Sequence, residues 1–219
     1  RDVLGSGGLG DVYKRQDLQY TVNYYWNGTQ EKVQPSDLFE DQVYLSEISL
    51  LPPAIEGYTP VNAQKAETIT VLVEGVEVEQ NAINFYYYKN VTLTANSNKE
   101  AVYNGETQQV EGYTTSADTA AAKVAFEGLT ATAEGVNYAA EGYMVLFNIE
   151  NPVGLVDVTQ KYIVTQANAG LLMINKRPVK VTVSATKSFG SVDPEKALWN
   201  VAFEQAAGNS GLLPQDTID

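Results

Sequence analysis

Apolar and polar positions alternate through Tyr20-Thr21-Val22-Asn23-Tyr24, and the run meets Asn27-Gly28 after Tyr25-Trp26. A period of two places successive side chains on opposite faces of a pleated strand, so a strand is predicted over 20–26. Asn-Gly favours the positive φ values of a type I′ turn, which predicts a hairpin partner over 29–33, ended by Pro35-Ser36-Asp37. Residues 38–50 stay open. Leu38, Phe39, Val43 and Leu45 fit neither a helical stripe nor strict alternation, and Ser36-Asp37 offers a cap for a short helix. Pro52-Pro53 imposes an extended break, and strands follow over 68–73 and 82–88. Asn90 is read as a boundary, where the aromatic strand ends and Val91-Thr92-Leu93-Thr94-Ala95 begins a new alternation. Beyond it strands are predicted over 107–113, 123–127, 143–149, 161–165 and 171–174, separated by Asn104-Gly105, Glu111-Gly112, Gly135 and Asn151-Pro152. Residues 116–122, with three consecutive alanines, read as a loop or one helical turn.

The alternation sorts the aromatic residues of the first 90 positions. If the two aromatic strands are neighbours, Val22 and Tyr24 face the same way as Ile83, Phe85 and Tyr87, while Tyr25, Tyr86 and Tyr88 face the other way. One set then builds a core. The other makes cross-strand aromatic pairs or forms a platform on which the apolar face of a sugar stacks. Trp26, beside the turn, is expected to be exposed and is the first candidate for ligand contact, with Tyr25, Tyr86 and Tyr88 beside it.

Three stretches together resemble a known module. They are Tyr-x-Val-x-Tyr-Tyr-Trp-Asn-Gly-Thr from Tyr20, Pro-Pro-Ala-Ile-Glu-Gly-Tyr-Thr-Pro-Val from Pro52, and Ile-Asn-Phe-Tyr-Tyr-Tyr-Lys from Ile83. In this order they are similar to the MucBP module, the mucin-binding repeat of Gram-positive bacterial surface proteins. The resemblance spans 17–90 and implies a ubiquitin-like β-grasp fold with its first and last strands paired in the middle of the sheet.

Farther on, Asp157-Val158-Thr159-Gln160-Lys161-Tyr162-Ile163-Val164 is followed by Ala169-Gly170-Leu171-Leu172-Met173-Ile174-Asn175-Lys176-Arg177-Pro178-Val179. With Val102-Tyr103-Asn104-Gly105, these phrases resemble MBG/YDG-type repeats, which implies an Ig-like β-sandwich. Val91-Thr92-Leu93-Thr94-Ala95 recurs as Val181-Thr182-Val183-Ser184-Ala185, an offset of 90 residues. Phe189-Gly190-Ser191-Val192-Asp193-Pro194 is similar to the opening of a further such repeat. The remaining stretch, 178–219, is about half a unit, and half a sandwich cannot bury its own sheet face.

Residues 1–16 stand apart. Gly5-Ser6-Gly7-Gly8-Leu9-Gly10-Asp11-Val12 has the spacing of a protein kinase glycine-rich loop, but no V-A-I-K, H-R-D or D-F-G accompanies it. Asp11-Val12-Tyr13-Lys14-Arg15-Gln16 resembles the translation of a transposon adapter used in sequencing libraries, so 1–16 are set aside as a non-native scar on a metagenomic fragment.

Composition narrows the chemistry. The 219 residues hold 14 basic and 27 acidic side chains, a net charge of −13, with no histidine and no cysteine. Without 1–16 the balance is 11 basic to 25 acidic. No basic face is available for nucleic acid, and imidazole bases, thiolate nucleophiles, disulfides and sulfur-ligated metals are excluded. Paired carboxylates leave a glycosidase open in principle, but they scatter over predicted loops and exposed strand faces. Asp157 and Asp193 are conceivable calcium ligands, although solvated turn positions suit them better and no EF-hand spacing occurs. No metal site, cofactor or catalytic residue is therefore assigned.

The reading is a mainly β chain: a β-grasp module over 17–90, an Ig-like sandwich over 91–177 and the truncated start of a further β repeat over 178–219. The resemblance implies an extracellular, wall-anchored adhesin fragment that binds host mucin or its glycans, beside neighbouring repeats of the same chain, without catalysis or membrane insertion. The alternatives are a purely structural stalk and an accessory region of a secreted glycan-active enzyme.

Overall fold

The computed structural model describes residues 18–72 and 81–218. Residues 1–16, with the glycine-rich stretch and the adapter-like hexapeptide, lie outside it. The protein is mainly β, and among the described residues the helical content is one 3-10 turn at Lys196–Leu198. The chain forms two compact units. The first takes the described residues up to Thr92 together with Ala117–Glu127 and Val153–Gln166. The second takes Leu93–Ser116, Gly128–Pro152 and the chain from Ala167 onward. The units therefore do not follow a line at 90/91, because two later segments return to the first.

In the first unit, β1 (Leu18–Trp26) lies between β2 (Asp37–Gln42) and β6 (Ala82–Ala95), and β12 (Tyr162–Asn168) lies on the far side of β6. β1 and β6 run parallel in register, with Val22 opposite Ile83, Tyr24 opposite Phe85 and Trp26 opposite Tyr87. β4 (Tyr58–Pro60) adds an antiparallel pairing to β6. The open stretch 38–50 becomes β2 and β3 (Glu47–Leu50), the latter paired with β5 (Glu67–Thr70) as a separate two-stranded ribbon. Neither is a helix.

The alternation in β1 and β6 buries Tyr20, Val22, Tyr24, Ile83, Phe85 and Tyr87 in one cluster. Ile48, Leu50 and Ile69 of the ribbon, together with Ile55, pack against it, so the β3–β5 ribbon covers this face of the sheet. Each such side chain removed from water contributes ~1.5–3 kcal/mol.

The predicted hairpin is shortened. Gly28 has φ +69° while Asn27 is not in the left-handed region, so the turn is not type I′. Residues 29–33 form no strand. They contribute a single bridge, Tyr25 to Lys32, before the chain reaches β2.

β6 also differs from expectation: it does not end at Asn90 but continues to Ala95, with Val91, Leu93 and Ala95 buried at the same parity as Ile83. Asparagine is tolerated there because the pairing continues on either side of it.

The second unit holds a five-stranded sheet in the order β7 (Asn98–Val102), β13 (Gly170–Asn175), β11 (Tyr143–Phe147), β10 (Ala131–Gly135), β8 (Gln108–Glu111). Its core is Ala101, Val110, Ala131, Val145, Leu172 and Ile174, joined by Ala95. β9 (Tyr113–Thr115) pairs instead with the end of β6. The strand predicted over 107–113 is thus split at Gly112, whose φ of +85° turns the chain between pairings. Gly170 sits at a closer approach, since a Cβ there would lie 2.0 Å from the Asn96 carbonyl oxygen. Residues 116–122 are a loop, 123–127 form no strand, and β7 and β10 are strands that the pattern did not single out.

β14 (Val181–Ser184) and β15 (Asn200–Phe203) form a two-stranded ribbon. Val181, Val183 and Val201 share one face of it and are about half exposed.

Candidate functional site

The parallel register that builds the core of the first unit also builds its open face. Thr21, Asn23 and Tyr25 of β1 lie opposite Ala82, Asn84 and Tyr86 of β6. Tyr25 and Tyr86 stack across the strands, with ring centroids 5.9 Å apart and planes at 29°. Two positions back, Asn23 Nδ2 donates to Asn84 Oδ1 at 2.9 Å. Ser36 donates to Asn23 Oδ1 at 2.6 Å, and the Lys32 ammonium donates to Ser36 Oγ, also at 2.6 Å. This relay holds the Asn23 amide from both sides and fixes the Asn84 carbonyl oxygen as its acceptor.

At one end, Asn81 exchanges two side-chain hydrogen bonds with the backbone of Leu72, imitating a strand pair. Its carbonyl accepts from Thr21 N.

Together these groups line a groove of about 580 Å³ bounded by Gln19, Thr21, Asn23 and Tyr25 on one side and Asn84 and Tyr86 on the other. Among the described residues every side chain lining it is uncharged, in a chain of net charge −13. It offers amide and hydroxyl groups beside aromatic rings, the composition that suits a polyhydroxylated ligand.

The four sequence candidates do not form one cluster. Tyr25 and Tyr86 meet, and Tyr86 is 46% exposed. Tyr88 is two residues along β6 on the same side, half-buried, and opposite Thr59 of β4. Trp26 falls on the parity of the core face and is not the exposed residue expected. Its Nε1 donates to the Lys161 carbonyl at 2.8 Å, its ring meets Tyr162 edge-on at 5.5 Å, and the Lys161 ammonium lies 5.8 Å from it. The indole fastens the returning segment 153–166 within this unit. Asn23, Asn84 and Gln19 were not singled out in the sequence, yet they share the parity of Tyr25 and Tyr86. That shared parity is the signal that would have found them.

The tyrosines of the opposite face have perturbed ionisation. Burial pushes the Tyr87 phenol up to about 12, and its hydroxyl donates to the Pro53 carbonyl at 2.9 Å. Tyr24 is raised by burial first and then by its hydrogen bond to Asp37 at 2.6 Å.

Asp157 is buried rather than solvated. Its carboxylate accepts from Lys161 N at 2.7 Å, Tyr162 N at 2.8 Å, Thr159 N at 2.9 Å and the Thr159 hydroxyl. Burial by itself would raise its pKa, but these hydrogen bonds outweigh it and hold the carboxyl below its ordinary value. Its oxygens serve the turn that carries Lys161 to Trp26. Asp193 is exposed and paired with Lys187. Among the described residues no group of three His, Cys, Asp or Glu side chains is placed to hold a metal ion.

No family model, curated protein or solved structure matches the chain.

Proposed function

We propose that the chain is part of an extracellular, wall-anchored adhesion protein, and that its first unit recognises host mucin or mucin glycans without catalysis. The observation that carries this reading is the groove on the open face of β1 and β6, whose described lining is uncharged, with Tyr25 stacked on Tyr86 beside the Asn23–Asn84 amide pair. The central parallel pairing of β1 with β6 supports the β-grasp reading of this unit, with a β-ribbon rather than a helix over its core face. In the second unit, the change of pairing partner between β8 and β9 at Gly112 supports the Ig-like sandwich reading, with a spacer role proposed for it.

The test is binding of the full chain to immobilised mucin before and after enzymatic deglycosylation. Residues 17–90 alone are unsuitable, because 117–127 and 153–166 belong to the same compact unit. Glycan-dependent binding that Tyr25→Ala with Tyr86→Ala abolishes is expected. Failure to bind above the level of an unrelated acidic domain would leave the structural-stalk reading.

A further inference from the structure

Resting on the glycan reading above, we infer that the groove takes an uncharged, extended oligosaccharide lying along β1 and β6, and that it rejects sialylated or sulfated chains.

Three observations point the same way. First, no described lining residue carries a charge, so an anion in the groove meets amides, hydroxyls and phenols. Desolvating an anion against amides and phenols alone is unfavourable, and a net charge of −13 adds long-range repulsion at low salt. The one cation of the amide network, Lys32, pairs with Tyr25 at the edge of this face, and its ammonium donates to Ser36 rather than lining the groove.

Second, the groove is long. From Gln19 to Tyr25 the strand advances about 20 Å at ~3.3 Å per residue, which suits several linked sugars better than a single terminal residue.

Third, the donors and acceptors are graded along it. Tyr25 and Tyr86 stand at one end as the apolar contact for a pyranose face. Asn84 follows, a lining amide whose carbonyl is held by Asn23 and whose NH2 is the donor type that a hydroxyl or acetamido oxygen accepts from. Thr21 and Gln19 continue the polar lining toward the other end. Asn23 is a positioning residue, because its amide is held by Ser36 and in turn holds Asn84.

The experiment is calorimetric titration of the full chain with three probes. They are a neutral tetrasaccharide of hexose and N-acetylhexosamine units, the same chain capped with sialic acid, and the same chain carrying sulfate. The neutral probe is expected to bind at least about tenfold more tightly than either acidic one, with an affinity unaffected by added salt. Tyr86→Ala is expected to weaken it by about tenfold or more. Asn84→Asp keeps the acceptor for Asn23 but replaces the amide donor with a carboxylate oxygen, and a loss of about threefold to tenfold is expected, with an unchanged thermal midpoint. Equal or tighter binding of an acidic probe, or salt-sensitive affinity, overturns the inference while leaving the glycan reading intact. Failure of all three probes on a chain that still binds glycosylated mucin overturns it as well. Failure of mucin and all probes overturns both.

Discussion

Tyr86 and Tyr87 are neighbours in the chain and chemically identical, yet one is 46% exposed beside a polar groove and the other has no exposed surface. The same contrast runs along β1, where Tyr24 is buried against Phe85 and Tyr25 stacks on Tyr86 outside. A pleated strand turns one residue type into core and surface by parity alone. On the core face the ring adds apolar burial and its hydroxyl must find a partner. On the open face the ring is held by one stacking contact and keeps its polar edge in water.

The sharpest way to break this comparison is substitution at Tyr87. Tyr87→Ala should cost about 3–5 kcal/mol in denaturant unfolding, through the cavity and the lost hydrogen bond to the Pro53 carbonyl. A cost no larger than that of Tyr86→Ala would mean that parity does not separate the faces. The buried-against-open comparison extends to the acids. Asp157→Ala should cost about 2–3 kcal/mol, because three backbone N–H groups lose their acceptor. Asp193→Ala should leave the unfolding midpoint unchanged.

Because the folded pKa of Asp157 is lowered, its stabilisation is present above the unfolded-state carboxylate pKa of about 3.9. It is lost as pH falls below that value through the folded one. Asp157→Asn should flatten this acid limb in a pH series of unfolding midpoints.

Tyr24→Phe ranks next, with about 1 kcal/mol expected for the lost hydrogen bond to Asp37. The alkaline limb has the opposite sign. Tyr24 and Tyr87 have raised folded pKa values, so their contribution is intact below about pH 10 and is lost as pH rises toward the folded value, about 12 for Tyr87. Absorbance titration should show these two phenols ionising late and together with unfolding. Tyr86→Ala should have the smallest effect on stability, within about 0.5 kcal/mol, while weakening glycan binding about tenfold or more.

Much of the first unit's site was legible because alternation is a local property. It separates Tyr25, Tyr86 and Tyr88 from Tyr24, Phe85 and Tyr87 without knowledge of any distant contact. Trp26 shows where local reasoning stops. Its place beside a turn suggested exposure, but its partners are Lys161 and Tyr162, more than 130 positions away. Asp157 is similar: a turn residue by composition, a buried acceptor by virtue of the backbone that folds around it. The expected strand end at Asn90 failed because residue preference is weaker than continuous pairing on either side of it.

The sequence by itself determined the mainly β class and which side chains of β1 and β6 share a face. It also ruled out imidazole and thiolate chemistry. These follow from stereochemistry within a few residues and from which side chains are present at all. Only the tertiary structure decided that β1 and β6 are parallel neighbours, and hence that Tyr25 meets Tyr86 and Asn23 meets Asn84. Only it decided that segments 117–127 and 153–166 belong with the first unit, and that Gly170 is held against Asn96. Such contacts depend on the packing of residues far apart in the chain, which no local periodicity encodes.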